Sequence, residues 1–225
     1  MIERSPETPQ LFLENDVFRL AFLYLAGNYY NQGNTNMADL SNIRVAVIVS
    51  DGFEEAELTE PVQALKEAGA TVKILSPTMQ PVQGFRHHEK GVTVQPDGII
   101  DDISPDAYDA VLLPGGALNA DNLRTNEKVK TFLKEFQTSD KPIAAICHAQ
   151  WELISAGIVE GRSLTSYYTI QDDIVNAGGN WLDQEVVIDR NWVTSRQPQD
   201  IPAFNHEMLT LFSQYVPAIA GGGLA

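Results

Sequence analysis

The chain has 225 residues, with 15 Lys and Arg against 30 Asp and Glu, a formal net charge of -15 and one cysteine. Its length fits one α/β domain with a substantial core, and the excess of negative charge excludes stable binding to nucleic acid or to an anionic membrane. The single cysteine excludes an intramolecular disulfide, which agrees with a reducing cytoplasm and leaves the thiol free for chemistry.

Residues 1–41 differ from the rest of the chain, because they show no strand alternation. The apolar run Leu20–Ala26 is shorter than the about 20 residues of a membrane span, and acidic residues outnumber basic ones ahead of it, which argues against a signal peptide. We predict an N-terminal extension over 1–41 and a cytoplasmic location. Two alternatives stay open: Met37 is the true start, or a short helix from Val17 to Leu25 docks on the body or on a partner subunit.

A regular α/β pattern begins at Ile43. The β-branched apolar run from Ile43 to Ser50 predicts a strand buried on both faces. The turn Asp51-Gly52-Phe53 leads into a helix predicted from Glu54 to Ala68, and Thr71 to Ser76 returns as a strand. These elements make a βαβ unit.

The remainder repeats this alternation. Residues 77–91 have no periodicity and predict a loop or a small excursion from the sheet. The later elements are predicted strands at Val92–Val94, Ala110–Leu113, Ile143–Ile146, Ser163–Ser166, Glu185–Asp189 and Trp192–Ser195, and predicted helices at 119–124, 127–137, 151–157, 170–177 and 202–215. We therefore predict an α/β fold over 42–216, with one doubly wound, mostly parallel sheet covered by helices on both faces, and a flexible tail over 217–225.

The only cysteine, Cys147, is followed by His148 and lies where an apolar strand gives way to a helix. A thiol at such a turn is exposed to the helix dipole and to free backbone N–H groups, which favour the thiolate, and the adjacent histidine is a suitable proton carrier. The alternative is a small hydrophobic core residue. The position favours a nucleophile.

Two other strand ends are expected at the same edge of the sheet. Glu54 follows the first strand and is predicted to orient His148 or to share a proton with the thiol; the alternative for Glu54, Glu55 and Glu57 is that they complement the helix dipole. Gly115-Gly116 follows the third strand, where exposed N–H groups would form an oxyanion hole, or an ordinary tight turn.

Other classes of site are excluded by their missing motifs. The chain has no Gly-x-Ser-x-Gly, no Walker A sequence and no Gly-x-Gly-x-x-Gly loop. His87-His88 with Glu89 is interpreted as a solvated loop rather than a metal site. We predict no metal ion and no organic cofactor.

Several segments in order resemble one known family, the PfpI branch of the ThiJ/PfpI superfamily, from about Ile43 to Phe212. The resemblance implies a flavodoxin-like, class I glutamine amidotransferase-like fold. The segments that carry it are Ala144–His148, Gly161–Tyr167, Asn176–Trp181, Val193–Pro198 and Pro202–Asn205.

The resemblance implies a role for each matched residue. Cys147 would be a nucleophile in a strained backbone conformation, Glu54 the carboxylate that contacts its thiol, and Gly116 and His148 the oxyanion donors. Tyr167 would line the substrate pocket together with Gly115. A third triad member often comes from a neighbouring subunit, which implies a homo-oligomer of at least two copies.

One pair departs from the family pattern. Ala149-Gln150 stands where Gly-Pro is usual. An alanine fits there only if its φ is helical, and Gln150 restores an N–H donor that proline lacks. We expect the pocket shape beside the nucleophile to differ.

The leading hypothesis is a cysteine-dependent stress-response enzyme acting on reactive carbonyls, either as a glyoxalase III-like enzyme or as a protein deglycase. Its partners would be small carbonyl compounds or glycated proteins. One alternative is an intracellular cysteine peptidase acting on peptides, and another is a redox sensor or holdase chaperone whose cysteine is oxidised. Glutamine amidotransfer is not favoured, since the His-x-Glu of that class is absent after His206.

Overall fold

Twelve strands and six α-helices make up residues 38–215, the part of the chain that the computed structural model describes. Of the extension predicted over 1–41, residues 1–37 with the candidate helix lie outside these residues, and so does the tail predicted over 217–225. None of the described helices is long and apolar enough to cross a membrane. The strands are β1 (Arg44–Ile48), β2 (Phe53–Glu54), β3 (Thr71–Ser76), β4 (Val82–Arg86), β5 (Glu89–Val94), β6 (Gly98–Ile99), β7 (Ala110–Leu113), β8 (Ile143–Ile146), β9 (Ser163–Leu164), β10 (Asn180–Trp181), β11 (Val186–Asp189) and β12 (Trp192–Ser195).

The helices alternate with these strands, as the α/β pattern predicts. They are α1 (Glu55–Glu67), α2 (Ala117–Arg124), α3 (Glu127–Thr138), α4 (Gln150–Ser155), α5 (Gln171–Asn176) and α6 (Ile201–Gln214). The predicted helices at 119–124 and 170–177 are shifted by one or two residues at an end, because fraying and capping set these ends.

Seven strands form the main sheet in the order β11-β12-β8-β7-β1-β3-β6. All neighbours are parallel except β11, which pairs antiparallel with β12 at one edge. The predicted mostly parallel, doubly wound sheet is confirmed. Every residue of β7 and β8 is buried, which explains why both segments are continuous apolar runs.

Helices cover both faces of this sheet with separate apolar clusters. On one face α3 packs Phe132 and Phe136 in a stack with ring centroids 4.7 Å apart. On the other face α1 and α6 contribute Leu58, Phe204 and Phe212. The two layers fix the ends of the central strands relative to one another.

Residues 77–91 form a small excursion rather than a plain loop. Strands β4 and β5 are an antiparallel hairpin, and β2 adds to β4 in parallel. Glu55 connects this hairpin to α1, since its carboxylate accepts hydrogen bonds from Arg86 Nε at 3.0 Å and from the Val92 N–H at 2.6 Å. The hairpin tip is thereby carried toward the carboxyl edge of the main sheet.

Candidate active site

Cys147 follows directly after β8 and adopts a φ of 66°, in the left-handed region that non-glycine residues rarely enter. Two neighbouring segments hold it there. Its N–H donates to the Ser195 carbonyl at 3.0 Å, and its carbonyl accepts from the Tyr167 N–H at 3.0 Å. The strained turn from strand to helix that the sequence implies is present.

Three groups surround the thiol. The backbone N–H groups of Gly116 and His148 and the carboxyl of Glu57 lie beside it. Glu57 is fully buried in the first turn of α1, and its carboxyl also faces the Gly115 N–H. The two groups predicted as oxyanion donors therefore lie next to the reactive atom.

Glu54 does not hold the place predicted for it, because Glu57 is the carboxyl beside the thiol. Glu54 belongs to β2, which pairs with β4, and its Oε2 accepts a hydrogen bond from the His87 N–H at 3.1 Å. The His87 Nδ1 lies 4.0 Å from the same oxygen. The predicted contact of Glu54 with the thiol is wrong. Glu54 is a strand residue, and its side chain points to the hairpin. Glu57 lies almost one helical turn further along, in α1, and its carboxyl faces Cys147.

Burial changes the proton balance of the Glu57 and Cys147 pair. It raises the pKa of Glu57 to about 8, and the charge of Glu54 adds to the effect. Burial, followed by the charge of Glu57, also raises the pKa of Cys147 well above its ordinary value, although the N–H groups of Gly116 and His148 act in the opposite direction. Burial and the carboxyl beside the thiol oppose the thiolate that the position is predicted to favour, whereas the two N–H groups support it, so a free thiolate in the resting site stays a prediction.

The imidazole of His148 is the neighbour placed to accept that proton. Its Nδ1 lies 3.2 Å from the Cys147 Sγ, and its Nε2 lies 3.4 Å from the Oγ1 of Thr169. The ring packs against Tyr167 at 5.0 Å and edge-on against Trp151 at 5.3 Å between centroids. Burial lowers the pKa of His148, which favours the neutral imidazole that a base requires.

Gly115 and Gly116 leave no room for side chains. A Cβ on Gly115 would lie 2.6 Å from the Cys147 Cβ and would also collide with the Glu57 carboxylate. Gly116 has a φ of 94°, and a Cβ there would lie 2.7 Å from the Glu54 nitrogen. The close approach of this turn to the thiol therefore requires both glycines.

Asn119 is a residue of the site that the sequence offered no signal for. Its Nδ2 donates to the carbonyl oxygens of Pro114 at 2.9 Å and Gly115 at 3.2 Å, and its Oδ1 accepts from the Ser50 N–H at 2.7 Å. The side chain thus joins the ends of β1 and β7 and holds the glycine turn in place.

The pair Ala149-Gln150 faces away from the substrate. Ala149 has a helical φ of -57°, as the replacement of a glycine there requires. The side chain of Gln150 is buried in the core, where its Nε2 donates to the carbonyl oxygens of Thr165 at 2.8 Å and Ser195 at 3.2 Å. Neither residue lines the pocket, and the expected difference in pocket shape from the family pattern stays a prediction.

A pocket of about 630 Å³ opens above Cys147. Its floor is the thiol with Glu57 and Gly116, and the hairpin tip and the segment after β12 form its walls. Tyr167 lines it as the resemblance implies, whereas Gly115 contributes behind the thiol and not to the wall. The other lining residues are Gly52, Glu54, Phe85, His87, His88, Ala117, Leu118, His148, Gln197, Pro198 and Gln199.

The sequence and fold of this chain are similar to those of known proteins. The model of the DJ-1/PfpI family matches residues 43–211. The chain belongs to the DJ-1/PfpI family. Among the relatives of this DJ-1/PfpI chain, "Protein/nucleic acid deglycase 2" of Escherichia coli is 41% identical over 169 residues, which are 75% of this chain and 96% of that protein.

A second relative has a different name. "Putative cysteine protease YraA" of Bacillus subtilis is 40% identical over 168 residues, covering 75% of this chain and 97% of that protein. Among solved structures, Drosophila melanogaster DJ-1beta is 29% identical with a TM-score of 0.70, over 76% of this chain and 90% of the other. Both the fold and the family predicted from the sequence are confirmed, and the names of the relatives indicate an enzyme of the PfpI type.

Glu152, just behind the nucleophile turn, gives one expectation about stability. Its carboxyl is completely buried, neither oxygen has a hydrogen-bond partner among the described residues, and burial raises its pKa well above the ordinary value of 4.5. The folded protein then binds this proton more tightly than the unfolded chain, so stability falls as the pH rises above about 4.5. We expect Glu152→Gln to raise the free energy of unfolding at pH 8, because the neutral amide has no proton to lose in this buried position.

Thermal unfolding at pH 5 and pH 8 measures this effect. Glu152→Gln should have a higher Tm than the wild type at pH 8, and this gain should shrink at pH 5. Glu60→Gln, at an exposed position of α1, is the matched control and should show no such pH-dependent gain. An equal loss of Tm at both pH values in Glu152→Gln would contradict the assignment.

Proposed function

We propose that this protein is a cysteine-dependent stress-response enzyme acting on reactive carbonyl compounds, through glyoxalase III-like conversion of methylglyoxal to lactate or through release of early glycation adducts from proteins. One observation carries the proposal. At the floor of an open pocket, the thiol of Cys147 meets an imidazole at 3.2 Å, two backbone N–H donors and a buried carboxyl.

The first step forms the nucleophile. The S–H bond of Cys147 breaks, and its proton passes to the Nδ1 of His148, which burial keeps neutral and able to accept it. The sulfur then attacks the aldehyde carbon of the substrate, or the corresponding carbon of a hemiaminal adduct. A C–S bond forms in both cases. With the aldehyde, the π electrons of the carbonyl move to its oxygen; with the hemiaminal, the C–N bond breaks and the amine leaves with the proton that His148 took from the thiol.

The second step stabilises that oxygen. The N–H groups of Gly116 and His148, which surround the sulfur in the resting site, donate to the new oxyanion. Glu57 carries a proton at neutral pH because burial raises its pKa to about 8, so it supplies a proton to the adduct and takes one back later. The role first predicted for Glu54 thus belongs to Glu57, and these residues need no metal or organic cofactor for the steps described.

The second candidate is an intracellular cysteine peptidase. The contact between Cys147 and His148 favours it as well, since a thiol, an imidazole and two N–H donors also suit attack on a peptide carbonyl. The relative named as a putative cysteine protease supports this candidate. The two candidates differ in the carbonyl that is attacked and not in the nucleophile.

Three assays on the full chain separate the candidates. Methylglyoxal consumption, release of methylglyoxal adducts from a glycated protein, and hydrolysis of a fluorogenic peptide are measured side by side, each with Cys147→Ala as its control. We expect one or both carbonyl activities to depend on Cys147. Peptide hydrolysis alone, dependent on Cys147, would favour the peptidase, and activities that persist in Cys147→Ala would defeat both candidates.

The proposal includes two features of setting. We place the enzyme in the cytoplasm because its single cysteine suits a reducing compartment. We also propose a homo-oligomer of at least two copies, on the basis of the family resemblance. Light scattering of the purified chain measures the second feature, and a monomeric mass would contradict it.

A further inference from the structure

The thiol of Cys147 has one side-chain hydrogen-bond contact among residues 38–215, because its Sγ lies 3.2 Å from the Nδ1 of His148. The buried carboxyl of Glu57 also faces the sulfur, but neither of its oxygens has a hydrogen-bond partner among these residues. The Nδ1 of His148 is therefore the acceptor that the geometry offers to the S–H group.

An imidazole nitrogen accepts a hydrogen bond only when it carries no proton. If Nδ1 accepts from the thiol, the proton of the neutral ring is on Nε2, and this N–H needs an acceptor of its own. The Oγ1 of Thr169 lies 3.4 Å from Nε2. The hydroxyl has no other hydrogen bond among residues 38–215, so its lone pairs are available.

No carboxylate competes for this position within the described part of the chain. The contact between a histidine and a carboxylate of this pocket is that of the His87 Nδ1, which lies 4.0 Å from the Glu54 Oε2. The ring of His148 is otherwise enclosed by Tyr167 and Trp151, which fix its plane. Thr169 is thus the polar side chain at the far nitrogen.

We propose that Thr169 is a positioning residue that holds His148 in its Nε2–H tautomer and so keeps Nδ1 free to take the thiol proton of Cys147. When Nδ1 accepts that proton, the S–H bond breaks, an N–H bond forms, and the imidazolium donates from Nε2 to the same hydroxyl. A hydroxyl serves here because the ring stays neutral at rest, whereas a carboxylate would favour a permanently charged imidazolium. The inference rests on the proposed function only in assigning a purpose to this proton transfer.

The alkylation rate of Cys147 by iodoacetamide tests the proposal without reference to any substrate. Because the chain has one cysteine, the rate reports that thiol alone. We expect Thr169→Val to lower the rate at pH 7 about fivefold, the loss expected for one hydrogen bond, and Thr169→Ser to restore it. Thr138→Val, at an exposed threonine near the end of α3, is the matched control and should match the wild type.

The titratable groups around His148 also contribute to the pH profile of the alkylation rate. Cys147 with Glu57 behind it faces one side of the ring, and Tyr167 faces another. Two charged residues contact Trp151 in turn. Asp173 accepts a hydrogen bond from the Trp151 Nε1–H at 2.7 Å, and the Arg124 guanidinium lies 5.0 Å from the centre of the Trp151 ring. The change in Thr169→Val should appear in the pH range where His148 titrates, below the range where Glu57 and the thiol titrate.

The ¹⁵N chemical shifts of the imidazole give a second readout that a structural role would not move. In the full-length wild type, the His148 signals, assigned by their loss in His148→Gln, should show a proton on Nε2 and none on Nδ1 at pH 7.5. Thr169→Val should give a mixture of tautomers. A proton on Nδ1 in the wild type, or alkylation rates that are equal in Thr169→Val and the wild type, would overturn the proposal whether or not the enzyme turns over any carbonyl substrate.

Discussion

Cys147→Ala is expected to lower turnover of the carbonyl substrate by at least ~10³-fold, to the background of the assay. The thiol is the one nucleophile at the floor of the described pocket, and both oxyanion donors and Glu57 are arranged around its sulfur. Without sulfur no covalent adduct forms, so the donors have no transition state to stabilise. Steady-state rates with methylglyoxal and with a glycated protein measure the effect.

Misfolding of Cys147→Ala must be excluded as the cause of its lower turnover. Alanine at this position also has to adopt the positive φ, so Cys147→Ala keeps the backbone demand of the wild type. Its Tm should therefore remain within a few degrees of the wild-type value. Turnover reduced less than tenfold in a folded variant would show that the reaction does not pass through this thiol.

Glu57→Gln is expected to lower kcat/KM by about 10²-fold, whereas Glu54→Gln should change it by less than about tenfold. An amide can neither give nor take a proton beside the sulfur, and Glu57 is the carboxyl that faces it. Glu54 instead accepts the N–H of His87 at 3.1 Å, a bond that the carbonyl oxygen of glutamine can still accept. The two variants are matched because each replaces one carboxyl of the same pocket by an amide of the same size.

The pH dependence of turnover should also differ between the two glutamine variants. Glu57 keeps its proton up to a pKa of about 8, so the wild-type rate should change slope near that pH as the proton donor is lost. Glu57→Gln should remove this change, and Glu54→Gln should retain it at a slightly lower pH, since the charge of Glu54 raises the pKa of Glu57. A larger loss in Glu54→Gln than in Glu57→Gln would return the role to Glu54.

The fold was predictable where burial on both faces dictates composition. Strands β7 and β8 have every residue buried, so their apolar runs identified them, and the parallel order places their carboxyl ends at one edge. The hairpin of β4 and β5 was less visible because most of β5 is exposed and lacks alternation. Its pairing depends on Glu55, a contact 31 residues distant from Arg86 along the chain.

The site was predictable in its backbone and not in all of its side chains. Cys147, His148 and Gly116 occupy positions set by strand ends, which sequence patterns locate. The choice between Glu54 and Glu57 depends on whether the chain is still extended or already helical at that residue, and this boundary is decided by pairing with β4. Thr169 comes close to His148 only through the tertiary path of the segment after β9, which no local pattern encodes.

The left-handed backbone at Cys147 means that the protein is less stable at this position than its sequence could make it. A glycine would adopt a φ of 66° without strain, and a cysteine there costs of order 1 kcal/mol. Two interstrand hydrogen bonds, to Ser195 and from Tyr167, hold the residue in place against this cost. A glycine at this position would therefore make the folded protein more stable but would remove the nucleophile, so stability and chemistry favour different residues here.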